Sequence, residues 1–375
     1  DPALARDAAV AREPREGDLS LILYTSGTTG RPKGVPRTHR NHYAGALAHA
    51  LQCGYAWGER TLGVMPLYHT MGIHALTSMV VVNGLFVCQP EWSAAGALAR
   101  IRDERITALY LIPTLFHDLV HAPDFARDAV ASVTKLAYAG APMLASLTEA
   151  CAKAFAPAVF VNHYGSTEIY TFSVRPDVHE KPGCAGRPGV HSALRVVTAS
   201  TERRVGPDET VPPGEKGEII ASLASDEAFA GYWNRPDADA RAIRDGWYFT
   251  GDMGWIDEDG ELWVAGRVDD MIISGGENIH PVEVEEVLAR HPGVRDVAVV
   301  GEPDERWGQR VVAFVVPAAP GLSAEALDAH CRASPDLAAF KRPRRVVFVR
   351  DIPKTASGKI LRRLLREGAY VEIEA

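Results

Sequence analysis

The sequence predicts a layered α/β protein with a largely parallel sheet, then a β-rich stretch, then a compact α+β unit. Three observations carry this. Over residues 61–162, short apolar runs alternate with segments of helical length, the pattern of strands joined by crossover helices. Near Gly186 the pattern gives way to short strands with dense Gly and Pro punctuation. After Gly266-Arg267-Val268-Asp269-Asp270 the composition shifts again, leaving a segment of about 100 residues, the size of a small domain.

Taken in order, residues 1–18 are charged and alanine-rich and read as a surface lead-in. Residues 19–23 form an apolar run expected to be a short buried strand. Residues 41–51 read as a helix, and 61–65 as a strand entering Pro66-Leu67-Tyr68-His69. A helix over 73–82, a strand at 85–88, a helix over 93–104 and a buried strand over 106–112 follow. The alternation continues through a strand at 135–138, a helix over 144–155 and a strand at 159–162. The β-rich stretch, 186–268, places strands at 193–197, 217–221, 247–249 and 262–264. The last unit opens on the glycine turn Ser274-Gly275-Gly276. Pro281 then starts a helix with Val284, Val287 and Leu288 on one face. Strands at 297–300 and 311–316, a helix over 324–331 and a strand at 346–349 complete it. Internal repeats and low-complexity tracts are lacking.

The loop Tyr24-Thr25-Ser26-Gly27-Thr28-Thr29-Gly30-Arg31-Pro32-Lys33-Gly34 organises this reading. Glycines let the backbone turn sharply and aim several N–H groups at one anion. Thr25, Ser26, Thr28 and Thr29 add hydroxyls, and Lys33 adds a full charge. The stretch differs from a Walker A loop, because Lys33 follows Gly-Arg-Pro and is followed by Gly34 rather than by Ser or Thr. A plain polar turn between core elements is the competing reading, and phosphate binding is favoured over it.

The chain has 375 residues, 46% of them hydrophobic, so a large core is within reach; its formal charge of −8 argues against a nucleic-acid binder. Cys53, Cys88, Cys151, Cys184 and Cys331 are scattered and odd in number, without metal-ligand spacing, so a reducing cytoplasm is the simplest setting. Neither a secretory signal nor a transmembrane segment is evident; the longest apolar run, 73–87, is broken by His74, Asn83 and Gly84.

Six stretches in order give a more specific reading. Beside the loop stand Asn162-His163-Tyr164-Gly165-Ser166-Thr167-Glu168, Asp245-Gly246-Trp247-Tyr248-Phe249-Thr250-Gly251-Asp252 and Gly266-Arg267-Val268-Asp269-Asp270. Ser274-Gly275-Gly276-Glu277-Asn278-Ile279 and Pro353-Lys354-Thr355-Ala356-Ser357-Gly358-Lys359 complete the set. Together they resemble the adenylate-forming, AMP-binding superfamily of acyl- and aryl-CoA synthetases, peptide-synthetase adenylation domains and luciferases. Met65-Pro66-Leu67-Tyr68-His69, Arg306-Trp307-Gly308-Gln309 and Phe340-Lys341-Arg342-Pro343 are most similar to the 4-chlorobenzoate–CoA ligase type. Members carry a substantial region before the phosphate loop that this sequence lacks. A fragment, a late start of the numbering, or a separate N-terminal polypeptide of the same fold would each account for that.

The resemblance implies a large domain over 1–268 and a small mobile domain over 269–375, with a hinge at Asp269. It implies a two-step reaction in which a carboxylate attacks the α-phosphate of ATP and a thiol then displaces AMP, with Mg2+ and coenzyme A taking part. ATP would be held by Thr25, Ser26, Gly27, Thr28, Thr29 and Lys33 at its phosphates, and by Gly140, Ala141, Tyr164, Asp252 and Arg267 at adenine and ribose. Glu168, with Thr28, would ligate Mg2+. Thr167 and Lys359 would serve the transition state of adenylation. By position, His69, Thr70, Met71, Tyr110, His163, Gly165, Tyr170 and Thr171 match an aryl-acid pocket. His163 departs from the apolar residue usual there and is expected to offer the acid a hydrogen bond. A benzoate-like acid bearing a hydroxyl, an amino group or a ring nitrogen would suit it. Ser274, Gly275, Gly276 and Glu277 would wall the pantetheine tunnel. Trp307, Phe340, Lys341, Arg342 and Arg344 would meet the adenine and 3′-phosphate of CoA. The expected partners are thus a small carboxylic acid, ATP and CoA; an oligomer is compatible with these features. Two rivals stay open. An adenylation domain serving a carrier protein would want an aspartate for an α-amino group, which the pocket motif lacks. A non-catalytic nucleotide-binding module would have no need of Lys33, Glu168, Asp252 and Lys359 together.

Overall fold

The structure is a computed structural model that describes residues 13–25, 32–200, 203–355 and 358–374. Its centre is one long sheet. Five parallel strands stand in the order Leu85–Cys88, Arg60–Gly63, Ala108–Leu111, Lys135–Tyr138 and Val159–Tyr164. Helices Thr70–Val81, Ala94–Asp103, Pro113–Val120 and Ala145–Phe155 intervene, as parallel connections require, and the helix His39–Gln52 precedes them. Both faces of this half are covered, so side chains alternate between two cores. Leu109, Leu136 and Phe160 join Ile101, Phe116 and Cys151 on one side. Tyr110, Ala137 and Val161 join Met65, Met71 and Ala75 on the other.

At Val159–Tyr164 the sheet changes character. Its next neighbour, Ser173–Arg175, runs antiparallel, and Cys184–Pro188, Leu262–Arg267, Trp247–Ile256, Gly217–Ser222 and Leu194–Val197 follow in that order. The β-rich stretch therefore continues the hydrogen-bonded sheet of the α/β part. Its strand Trp247–Ile256 is ten residues long, where the sequence marks only 247–249. The run at 19–23 departs from expectation. Leu19–Thr25 is a strand, but it pairs only with Lys33–Thr38 in a two-stranded hairpin, where Leu23 is buried while Leu19 and Tyr24 are exposed. With one partner strand and one inward position in reach, its apolar residues cannot all be covered.

The C-terminal unit has its own sheet, ordered Glu277–Ile279, Ile272–Ser274, Gly308–Pro317, Val294–Asp304, with Arg345–Phe348 parallel to Gly308–Pro317. Helices Pro281–Ala289 and Ala324–Ala333 close a core of Ile279, Val284, Leu288, Val299, Val315 and Leu327. It joins the large sheet through the single turn Val268–Asp270. Lys216 reaches across to Glu283, a half-buried ion pair worth about 1 kcal/mol or less. No helix among the described residues is long and apolar enough to cross a membrane.

Candidate active site

The site forms where the hairpin, the turn after Val159–Tyr164, the strand Trp247–Ile256 and the C-terminal unit meet. The expected phosphate loop joins the strands Leu19–Thr25 and Lys33–Thr38, whose ends carry Thr25 and Lys33; Ser26, Gly27, Thr28, Thr29, Gly30 and Arg31 lie outside the described residues. Thr25 Oγ1 is buried with no hydrogen-bond partner among the described residues. Opposite it, Lys33 donates to the Tyr232 hydroxyl at 3.0 Å, and that hydroxyl donates to Glu168 Oε1 at 2.7 Å. The backbone sets this up: Trp233 N–H donates to the Gly34 carbonyl, which ties Tyr232 to the strand carrying Lys33. Burial pushes the Lys33 ammonium down, while Glu168 pulls it back up.

Glu168 is buried in a tight turn, its N–H and that of Ile169 both donating to Ser166 Oγ. Gly165 makes the turn possible, since a Cβ there would lie 1.9 Å from the Tyr170 carbonyl oxygen. Beneath it lies Arg37, fully buried, donating to the carbonyls of Thr167, Glu168 and Glu227 and stacked on the Tyr170 ring at 3.7 Å. Thr167 Oγ1 accepts from Thr70 at 3.1 Å, which links the turn to the helix Thr70–Val81.

Asp252 is the second anchor. Tyr164 donates to its Oδ2 at 2.6 Å, and Arg267 to its Oδ1 at 2.7 Å and to the Thr250 carbonyl at 3.1 Å. The Tyr164 hydroxyl thus orients this carboxylate, a duty beyond the expected stacking. Asp252 and Tyr164 hold the Arg267 guanidinium charged against its desolvation. Gly140 and Ala141 follow the strand Lys135–Tyr138, Gly140 exposed and at φ +85°.

Lys359 comes from the far end of the chain. Burial pushes its ammonium down and Arg267 adds to the effect, opposed by Asp252 and Asp270. The side chain is still reached by solvent, so it stands at a rim crowded by protein. Its neighbour Gly358 is seated against the large sheet's lobe, where an added Cβ would lie 3.1 Å from Ile112. Asp269 is exposed in the connecting turn, while Asp270 is paired with Arg362 and Arg366.

The expected acyl-pocket residues come together, mostly buried. His163 is 4% exposed, yet both its nitrogens are engaged, Nδ1 with the Tyr110 hydroxyl at 2.7 Å and Nε2 with Thr171 Oγ1 at 3.0 Å. This corrects the expectation that His163 is the free hydrogen-bonding group. Burial pulls it down to about 4, so it is neutral near pH 7. His69 caps the helix Thr70–Val81 through its Nδ1 on the Met71 N–H; Met71 and Tyr170 are buried and Gly165 is exposed.

The expected thiol-side residues are placed less uniformly. Ser274 to Glu277 form the hairpin turn between the strands Ile272–Ser274 and Glu277–Ile279, with Gly275 donating to the Trp307 carbonyl and a Cβ at Gly275 meeting the Trp307 ring at 2.8 Å. Trp307 and Phe340 are exposed. The basic run is largely paired within the unit: Lys341 with Glu283, Arg342 with Asp328, Arg345 with Glu302; Arg344 is exposed.

Tyr232, Arg37 and Glu227 are absent from the sequence reading. Arg37 left a trace, because it follows Val35 by two on a strand and so shares that residue's inward face. Tyr232 left none, since its role depends on a contact with a strand about 200 residues earlier.

A fold joining this sheet to a small C-terminal unit, with Lys33, Glu168, Asp252, Arg267 and Lys359 converging, defines an adenylate-forming enzyme. The chain belongs to the AMP-binding enzyme family, whose model matches residues 2–233, with the AMP-binding enzyme C-terminal domain matching 283–359. Within it the chain is an AMP-forming acid–thiol ligase, of the acyl/aryl-CoA ligase group that works through an adenylate. It is 38% identical to a 4-chlorobenzoate–CoA ligase of Arthrobacter sp, over 94% of this chain and 67% of the relative. It is also 38% identical to a feruloyl-CoA synthase of Amycolatopsis sp, over 92% and 69%. Among solved structures, o-succinylbenzoate CoA synthetase from Bacillus subtilis with its acyl-adenylate intermediate superposes with TM-score 0.83 at 32% identity, covering 96% of this chain and 71% of that one. The chain thus spans about two thirds of the length of these relatives.

Proposed function

We propose that this enzyme activates an aromatic, benzoate-like carboxylic acid with ATP and passes the acyl group to coenzyme A. One observation supports it most: Lys33 is tied to Glu168 through the Tyr232 hydroxyl, Arg267 is paired with Asp252, and Lys359 lies near enough to Arg267 and Asp252 to feel their charges. That is the set of charges an in-line attack on the α-phosphate needs along the nucleotide. Thr25 and Lys33 grip the β- and γ-phosphates, Asp252 accepts from the ribose, and Arg267 fixes Asp252 while facing the phosphates. Lys359 reaches the α-phosphate and the attacking carboxylate, offsetting the charge that gathers there. Mg2+, when bound, neutralises phosphate charge; the Glu168 carboxylate is a fitting oxygen donor, buried, pinned at Oε1 by Tyr232 and facing the phosphate side. Thr167, steadied by Thr70, donates to the α-phosphate or the acid.

The aromatic character rests on the pocket's aromatic walls and on the names of the relatives, which include chlorobenzoate, feruloyl and succinylbenzoate ligases. For the second step we place a hinge at Asp269, exposed in the single connection between 1–268 and 269–375, so that the small unit can turn and bring Gly275, Gly276 and Trp307 to the adenylate. A carrier protein as acceptor is the second reading, favoured by the internal pairing of the basic run. Carboxylate-dependent ATP–pyrophosphate exchange over a panel of aryl and alkyl acids, followed by free CoA, tests both. Exchange only with long alkyl acids would overturn the aromatic reading, and AMP release that ignores CoA would overturn the acceptor.

A further inference from the structure

Behind the pocket lies a cluster of imidazoles and phenols in which one member differs from the rest. His163 is bonded through both nitrogens, His49 stands 3.4 Å from the Tyr55 hydroxyl, and His42 Nδ1 is 3.1 Å from the Tyr170 hydroxyl. His74 is 1% exposed, and neither of its nitrogens has a hydrogen-bond partner among the described residues. It projects from the helix Thr70–Val81, one turn beyond Thr70 and Met71 and on the same inward face as Ala75 and Ser78. Its ring centroid lies 4.0 Å from that of Tyr170 and 6.1 Å from that of His163, so it abuts two walls of the expected acyl pocket.

A buried imidazole with two open valences is unfavourable in the free protein, and such a group calls for a bound partner. The partner's chemistry follows from the surroundings. Burial above all opposes protonation of His74, and His49, His163, Arg37 and His42 add to it, so the ring is neutral, with one nitrogen to donate and one to accept. The two nitrogens point away from each other, so one hydroxyl meets one of them, and a neutral group able either to donate or to accept matches this. A second carboxylate would need a desolvated counter-charge, and Arg37 already serves three backbone carbonyls. A methyl or halogen would leave both nitrogens unmet.

We propose that His74 reads the end of the acid remote from its carboxylate, and that the substrate is an aromatic acid carrying a neutral hydrogen-bonding substituent there, a ring hydroxyl above all. This rests on the aryl-acid reading given above, and it moves the specificity contact from His163 to a residue on a different element.

The test is pyrophosphate exchange by the full chain with matched acids, 3- and 4-hydroxybenzoate against 3- and 4-methylbenzoate. The wild type should favour one hydroxyl acid over its methyl twin by about 10-fold or more in kcat/KM. His74→Leu should erase or invert that ratio while holding or raising the melting temperature, since it removes an unpartnered polar group. His74→Asn, which keeps a donor and an acceptor, should restore part of the preference. Aryl acids accepted without hydroxyl preference, or a ratio unmoved in His74→Leu, would overturn the proposal and leave the aryl reading standing. Exchange with alkyl acids alone would overturn both. Equal loss for every acid in both variants, with a lowered melting temperature, would make His74 a packing residue and overturn the proposal.

Discussion

At the proposed nucleotide end of the site, Lys33, Arg267 and Lys359 face Glu168 and Asp252; Lys33 and Arg267 come from strand ends, Glu168 from a turn and Asp252 from the bulged middle of the strand Trp247–Ile256. At the proposed acyl end, His42, His49, His74 and His163 meet Tyr110 and Tyr170 inside the protein; all but Tyr170, which follows the turn after Val159–Tyr164, stand on helices or strands. On the proposed reading, the first end works with permanent charge on a substrate part common to every acid. The second works with neutral hydrogen-bonding groups, whose energies change sign when a partner is missing. Substitutions at the nucleotide end should therefore slow all acids alike, while those at the acyl end should reorder them.

The largest effect is expected for Lys359→Ala, a loss of about 100- to 1000-fold in adenylate formation for every acid, with thiol transfer from preformed adenylate spared. Equal losses in both single-turnover steps would contradict this division of labour. Tyr232→Phe should come next. It unties Lys33 from Glu168 and should lower exchange about 10-fold, again without changing the order of acids. A changed order would mean that the two ends are coupled through Glu168.

A subtler effect concerns pH. Because the Lys359 ammonium is pushed down, its charge is present at low pH and lost as pH rises through a value below the ordinary lysine range. The alkaline limb of kcat/KM for adenylation should fall there, and Lys359→Arg, though slower, should carry the limb to higher pH. An unmoved limb would assign it to another group.

The smallest effect on turnover is expected for Glu227→Gln, at the acyl end. Desolvation raises this buried carboxyl to about 7, opposed by Thr171 and Arg37. The folded chain therefore keeps a proton that the unfolded chain releases near the ordinary glutamate value. Stability from this group is full below about pH 4.5 and lost as pH rises towards about 7, on the order of 3 kcal/mol. In Glu227→Gln the melting temperature should decline less across that window; an identical decline would show that the carboxyl does not titrate there.

The contrast also explains what could be read from the sequence. The tight turn Gly165 to Glu168, the bulged strand stretch Thr250 to Asp252 and the hairpin turn at Gly275 and Gly276 have few backbone solutions, so they announce themselves as local strings. Many helix and strand positions are legible to within a few residues for the same local reasons, as with the strands Lys135–Tyr138 and Leu85–Cys88, whereas the strand Lys33–Thr38 and the helix Pro113–Val120 go unmarked and Trp247–Ile256 is marked too short. The acyl end has no such string. In the sequence His74 only interrupts an apolar run, and His49 is one of several helix polar residues. Their meeting depends on how the helix His39–Gln52 lies on Thr70–Val81. Even His163, singled out correctly as unusual, could not be assigned its partners, because Tyr110 and Thr171 reach it from two other segments.

The strand Val159–Tyr164, where the sheet turns from parallel to antiparallel, places these two chemistries back to back. Of its odd positions, Val161 lies in the core with Met65 and Met71 and His163 is bonded to Tyr110; its even positions include Asn162, bonded to Cys184, and Tyr164, bonded to Asp252. On the proposed reading the pleat is a partition about one residue thick, with the two reactants addressed on opposite sides. Inserting or deleting a single residue here would swap the audiences of the two sides and abolish both recognitions at once. Exchanges at odd positions alone could retrain the enzyme for a new acid while the nucleotide side stayed as it is. For directed change this strand is a dial with two independent scales, adjustable in identity but not in length.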